Sequence, residues 1–110
     1  MLIDVSYKEN IPVVKISGEL DMYDSTKIES VFNSVSEESD VIIDCSEISF
    51  VDSTIIGLFV RYSLDKGKNS KKVVLVNVKT FFIQLLELAK LTKLFEVVGS
   101  IDEYFTNINN

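Results

Sequence analysis

The order of apolar and polar residues changes period several times along this chain, and each change marks an element. Leu2, Ile3, Val5 and Tyr7 partly alternate with polar residues and predict a strand. Asn10 to Pro12 predicts a turn, and Val13, Val14 and Ile16 a second strand ending at Gly18. The chain therefore opens with a β-hairpin. From about Thr26 the period lengthens: Ile28, Val31, Phe32 and Val35 stand at i, i+3, i+4 and i+7, the stripe of an amphipathic helix. Asp24, Ser25 or Thr26 is placed to cap it, and Thr26 with Glu29 has capping-box spacing. Residues 40–45, DVIIDC, predict a short strand covered on both faces.

A second helix is expected from Asp52 or Ser53. Ile56, Phe59, Val60 and Ser63 share one of its faces, while Ile55, Leu58, Phe59 and Tyr62 cover a neighbouring one. An apolar girth that wide predicts contacts beyond a single sheet face. VVLV at 73–76 predicts another buried strand, Phe82, Leu85, Leu86 and Ala89 a third helix, and Phe95, Val97 and Val98 a short final strand. The last helix opens at SIDE, with Ser100 and Glu103 spaced as a capping box and Ile101, Tyr104, Phe105 and Ile108 as its stripe. The order β-β-α-β-α-β-α-β-α predicts an α/β fold: a mixed, mostly parallel sheet of four to five strands, about four helices, right-handed crossovers and an opening β-hairpin. At 110 residues one domain over 1–110 is expected, and 46% hydrophobic residues supply its core.

Composition narrows the function mainly by exclusion. The net charge is -6 with no long run of either sign, which argues against a nucleic-acid face. Lys66, Lys68, Lys71 and Lys72 form the nearest basic cluster and read as a solvated loop. There is no histidine, so neither a Ser-His-Asp triad, a Cys-His pair nor a histidine zinc site can be built. The four glycines are too scattered for a phosphate loop. The single cysteine, Cys45, reads as a small core residue in a reducing compartment. No leader pattern is visible, and no apolar run nears the ~20 residues of a membrane helix. A cytoplasmic protein is expected, with no enzyme activity, cofactor, metal or membrane contact.

Two segments stand out. ISGELDMYDST at 16–26 leaves a strand through Gly18 and presents Glu19, Asp21 and Asp24 ahead of a helix; FVDSTIIG at 50–57 sets Asp-Ser-Thr between a buried strand and an apolar helix. Each alone reads as a polar connection with an N-cap. In this order, SGELD at 17–21, DST with Gly57 within 52–57, and LELAKLTKLFEVV at 86–98 followed by Ser100 and Glu103 resemble the STAS domain of the anti-sigma factor antagonists. The resemblance spans nearly the whole chain.

That resemblance implies a regulatory module. The serine after the aspartate, here Ser53, would be phosphorylated. The dephosphorylated form would bind an ATP-dependent anti-sigma factor serine kinase and release a sigma factor, and a serine phosphatase would reset it. The docking surface would comprise Asp21, Asp24, Asp52, Ser53, Thr54 and Ile55, on a chain that is a monomer alone. The physics suits such a switch. A phosphate at a helix N-terminus meets free N–H groups and the positive end of the dipole. It adds about 1.5 to 2 negative charges, and leaving such an ion unpaired at an interface costs several kcal/mol.

The chain departs from the family pattern, commonly Asp-Ser-Ser/Thr-Gly-Leu-Gly, with Ile55 in place of the first glycine. A glycine common between the third helix and the last strand is also absent, with Lys90 near its place. Ile55 keeps alive the alternative of a non-switching STAS adaptor in a stress-signalling or lipid-transport complex. A receiver domain would need acidic residues at its strand ends to hold Mg²⁺, whereas the first strand ends at Tyr7-Lys8-Glu9. A nucleotide-binding enzyme lacks both the phosphate loop and the base.

Overall fold

The computed structural model describes residues 1–109. Its strands are β1 (Leu2–Lys8), β2 (Ile11–Leu20), β3 (Val41–Val51), β4 (Val73–Val76) and β5 (Glu96–Val98). Its helices are α1 (Ser25–Ser34), α2 (Ser53–Lys68), α3 (Thr80–Leu88) and α4 (Ile101–Ile108), with short 3-10 turns at Met22–Asp24 and Thr92–Leu94. The strands lie in the sheet in chain order; β2 to β5 are parallel and β1 pairs antiparallel with β2 at one edge. This is the mixed, mostly parallel α/β architecture expected from the sequence.

The hairpin turn differs from expectation. It is the two residues Glu9 and Asn10, both at positive φ (50° and 65°), between the paired Lys8 and Ile11. Two positive φ values define the type I′ turn, whose twist matches that of a β-hairpin. Pro12, expected in the turn, instead lies in β2 opposite Tyr7. Nor does β2 end at Gly18. It continues to Leu20, with Gly18 at φ 108° where the register against β3 shifts. Such a φ strains any residue with a Cβ.

The sheet buries both faces, unequally. Val14 and Ile16 of β2, Val41, Ile43 and Cys45 of β3, and Val73 and Leu75 of β4 form one core with α1, α2 and α3. Val13, Ile42, Val74 and Val76 face the other way and pack on Tyr104 and Phe105 of α4. The double-sided burial predicted for 40–45 is explained by this alternation. The wide apolar girth of α2 also finds its reason: it is the middle helix of three. Phe59 meets Phe32 of α1 at 5.6 Å and Phe82 of α3 at 6.1 Å between ring centroids, while Tyr62 stacks on Phe32 at 4.1 Å.

Three local expectations are corrected. Thr26 and Glu29 do not cap α1; a capping box forms earlier, between Asp21 and Asp24 across the 3-10 turn. At α4, Ser100 Oγ accepts from the Glu103 N–H at 3.1 Å, but the Glu103 carboxylate reaches back to Gly99 N–H at 2.8 Å rather than to Ser100. Lys66 is not a solvated loop residue. Only 3% exposed, it donates from Nζ to the Ser36 and Ser39 carbonyls that follow α1 and lies 5.7 Å from the Tyr62 ring. Burial lowers its pKa, against which the nearby Asp40 and Glu37 charges act.

Candidate functional site

The two segments singled out in the sequence meet at one end of the sheet, because β2 and β3 run parallel and both overshoot β4. β3 extends to Val51, six residues beyond the predicted end at Cys45, through pairs such as Glu19 with Phe50 and Leu20 with Val51. This extension carries Ser53 to the level of the loop after β2. The Asp52 N–H donates to the Leu20 carbonyl at 3.1 Å, closing the junction.

Asp52 is the N-cap of α2. Its Oδ1 accepts from Ile55 N–H at 3.0 Å and its Oδ2 from Met22 N–H at 2.8 Å, so one carboxylate holds both segments. The neighbouring loop is ordered by its own acids. Asp21 Oδ1 accepts from Tyr23 N–H at 2.9 Å, and Asp24 Oδ2 accepts from Asp21 N–H at 3.0 Å. Three carboxylates therefore converge on one small region, and no ion pair neutralises them among the described residues.

Ser53 and Thr54 occupy the first two positions of α2 and are exposed. Ile55, expected among the docking residues, is 0% exposed; its side chain belongs to the main core. At about 3.6 residues per turn Ile55 lies on the side of the first turn that α2 lays on the core, so this position shapes the base of the site and cannot touch a partner. Gly57 has nothing within 4 Å of where a Cβ would stand, so the fold leaves its surroundings open.

Sequence reasoning missed the apolar part of the surface. Met22 and Tyr23, the latter at 87%, are exposed within the acidic loop, and Phe50 at the end of β3, opposite Glu19. They lie inside the two quoted segments, among the acidic residues. Large apolar side chains in a predicted polar connection were the available signal.

Other chemistry is sparse. Among the described residues no group of three or more His, Cys, Asp or Glu could hold a metal ion, and no helix is long and apolar enough to cross a membrane. Cys45 is buried, and burial with the adjacent Asp44 charge raises its pKa far above the ordinary thiol value, which leaves it a poor nucleophile.

Comparison with known proteins identifies the family and the fold. Residues 3–104 match the sequence profile of the STAS domain. The anti-sigma-B factor antagonist of Staphylococcus aureus is 28% identical over 97 residues, covering 86% of this chain and 90% of that one. A STAS domain protein of the anti-sigma-factor antagonist type from Planctomyces limnophilus superposes with a TM-score of 0.86 at 17% identity, over 98% of both chains. The Bacillus cell fate determinant SpoIIAA in its phosphorylated form superposes with a TM-score of 0.72 at 16% identity, over 97% of this chain and 99% of that one. At such identities the two structures establish a shared fold.

Proposed function

We propose that this chain, which belongs to the STAS domain family, is an anti-sigma factor antagonist whose binding is switched by phosphorylation of Ser53. Its dephosphorylated form binds an anti-sigma factor serine kinase and frees the sigma factor; a serine phosphatase restores that form. The chain is substrate and partner, while the kinase supplies ATP and Mg²⁺.

One observation carries this reading. Ser53 is exposed at the first position of α2, beside Asp52, which binds the Met22 N–H of the Asp21–Asp24 loop, and the same two segments expose Met22, Tyr23 and Phe50. Exposed aromatic side chains next to a polar rim are the composition of a docking patch. Before phosphorylation the apolar residues can be desolvated by a partner. Afterwards about 1.5 to 2 more negative charges stand among three carboxylates. Docking then requires burying that charge against like charges, and a penalty of about 3 kcal/mol suffices for a hundredfold loss. No rearrangement of the fold is needed, because the free N–H groups at the start of α2 accommodate the phosphate.

The test uses the full chain with the anti-sigma factor serine kinase, ATP and Mg²⁺. Mass spectrometry is expected to find phosphate on Ser53, and titration a loss of kinase binding of at least about a hundredfold. Ser53→Ala should bind and ignore ATP. Ser53→Asp should bind more weakly while remaining as stable as the wild type, since an acid in the first helical turn is favourable. Wild-type affinity in Ser53→Asp would rule out the charge mechanism. Binding without any phosphate on Ser53 would favour the non-switching adaptor of a stress-signalling or lipid-transport complex, for which the buried Ile55 in place of glycine is the supporting feature.

A further inference from the structure

We propose that the edge strand β1 is a self-association surface: two copies of this chain pair β1 against β1, antiparallel about Val5, and join their sheets into one. The two edges of the sheet are unlike. β5 has three residues, a length that offers little to a neighbour, whereas β1 has seven and contains no proline.

The register of the hairpin decides which groups of β1 are free. A two-residue turn is flanked by a hydrogen-bonded pair, here Lys8 and Ile11, and such pairs recur at every second residue. Leu2, Asp4, Ser6 and Lys8 thus point their N–H and C=O groups at β2. Ile3, Val5 and Tyr7 point theirs outward, with no partner strand. These residues also carry the apolar side chains: Val5 is 40% exposed and Tyr7 62%, on the face where Ile3 packs against the main core. With Leu2, three of the ten large apolar side chains exposed among the described residues lie on this one strand.

The strand is complementary to itself. Pairing about Val5 sets Val5 opposite the partner's Val5 and Ile3 opposite the partner's Tyr7, all with outward backbone groups. Three hydrogen-bonded pairs then form beneath a continuous apolar stripe. On the other face Asp4 stands opposite the partner's Ser6 and diagonal to both the partner's Lys8, which its own Asp102 already holds at 3.1 Å, and the partner's Asp4, so no like charges stand directly opposite each other although each chain bears a net charge of -6. A shift by one residue would oppose outward groups to inward ones, and a shift by two would lose one of the three pairs within the strand, which selects this register. A second copy is the occupant that this symmetry specifies. The surface is small, below ~1,200 Å² in total, so association is weak and concentration-dependent.

Sedimentation equilibrium of the full chain from roughly 10 µM to roughly 1 mM, in about 0.15 M salt so that charge beyond about 8 Å is screened, is expected to show the 12.4 kDa mass rising towards its double. Val5→Pro removes an N–H outside the hairpin ladder, so it should keep the far-UV spectrum and remain a monomer. Val5→Lys and Val5→Glu should each weaken association at least tenfold, and an equimolar mixture of the two should associate again, because opposite charges then face each other across the axis. A wild-type mass constant over the whole range, or association unaffected by Val5→Lys, would overturn the proposal. So would a mixture of the two variants that stays monomeric while the wild type associates.

Discussion

The Met22 N–H and the Asp52 carboxylate meet at 2.8 Å across thirty residues of chain, and that contact, with the Asp52 N–H bond to the Leu20 carbonyl, makes the two polar loops one surface. The other oxygen of Asp52 caps α2 through Ile55 N–H. The two oxygens therefore do different work, one inside the helix and one between loops, and substitution can separate them.

Asp52→Ala removes both contacts. Losing an N-cap costs about 1 kcal/mol, and the loop at Met22–Asp24 is released as well. Asp52→Asn keeps an acceptor for Ile55 but offers only one carbonyl oxygen, so the tie to Met22 is the one lost. Urea denaturation should place Asn near the wild type and Ala about 1 kcal/mol below it, whereas both should weaken partner binding. Equal stability loss in the two variants would mean that the Met22 contact, and not the cap, dominates.

Gly57 lies mid-surface in α2, where a Cβ meets nothing within 4 Å. Glycine in a helix interior is less stable than alanine by about 0.5–1 kcal/mol. Gly57→Ala should raise the free energy of unfolding by that amount, read from the shifted urea midpoint. If the docking partner approaches the backbone here, as the exposed first turn suggests, the same substitution should weaken binding several-fold. A more stable variant with unchanged affinity would take Gly57 out of the interface.

Lys90 shows how a departure from the family pattern is absorbed. It sits at φ 59° just past α3, with its N–H donating to the Glu87 carbonyl at 3.0 Å and the Leu91 N–H to the Leu86 carbonyl at 2.8 Å. Those bonds are the Schellman ending of a helix, in which the left-handed position favours glycine. A residue with a Cβ there costs about 1–2 kcal/mol. Lys90→Gly is therefore expected to stabilise the fold by about 1 kcal/mol in thermal or urea melts, with partner binding unchanged because the end of α3 is remote in chain from the acidic loops.

What could be read from residues alone follows the range of the interactions involved. The order of strands and helices was legible because periodicity is local, and VVLV at 73–76 or the stripe of Ile28, Val31, Phe32 and Val35 needs no knowledge of distant chain. The Ser53 helix start was legible for the same reason. The length of β3 was not, since Glu47 to Val51 become a strand only by pairing with Ser17 to Leu20 of β2, across the Gly18 irregularity. Lys66 was misread because its burial depends on carbonyls 30 and 27 residues away in sequence. Ile55 illustrates the same limit: the resemblance placed it next to the Asp-Ser-Thr triplet among the docking residues, but the packing of α2 against the core turns it inward.

The core also sets the response to alkali. The Cys45 thiol, ordinary value 9.0, is raised chiefly by burial and further by the Asp44 charge. Tyr62 and Tyr104, ordinary value 10.0, are raised by burial, and Tyr104 also by the hydrogen bond it donates to Asp40 at 2.7 Å. All three are acids whose folded pKa exceeds the unfolded one. Below about pH 8.5 both states hold nearly all of these protons and stability hardly depends on them. Above it the unfolded chain loses protons that the folded chain keeps, so stability falls as pH rises. Between pH 9 and 10 Cys45 leads, with a slope approaching ~1 kcal/mol per pH unit. Lys66, whose pKa burial lowers, acts in the opposite sense, so the informative quantity is a difference between variants. Stability of the wild type minus that of Cys45→Ala, measured by urea denaturation at intervals from pH 7 to 10, is expected to stay flat to about pH 8.5 and then decline. A difference that remains constant through pH 10 would mean that the Cys45 thiol ionises within the folded core, contrary to its burial.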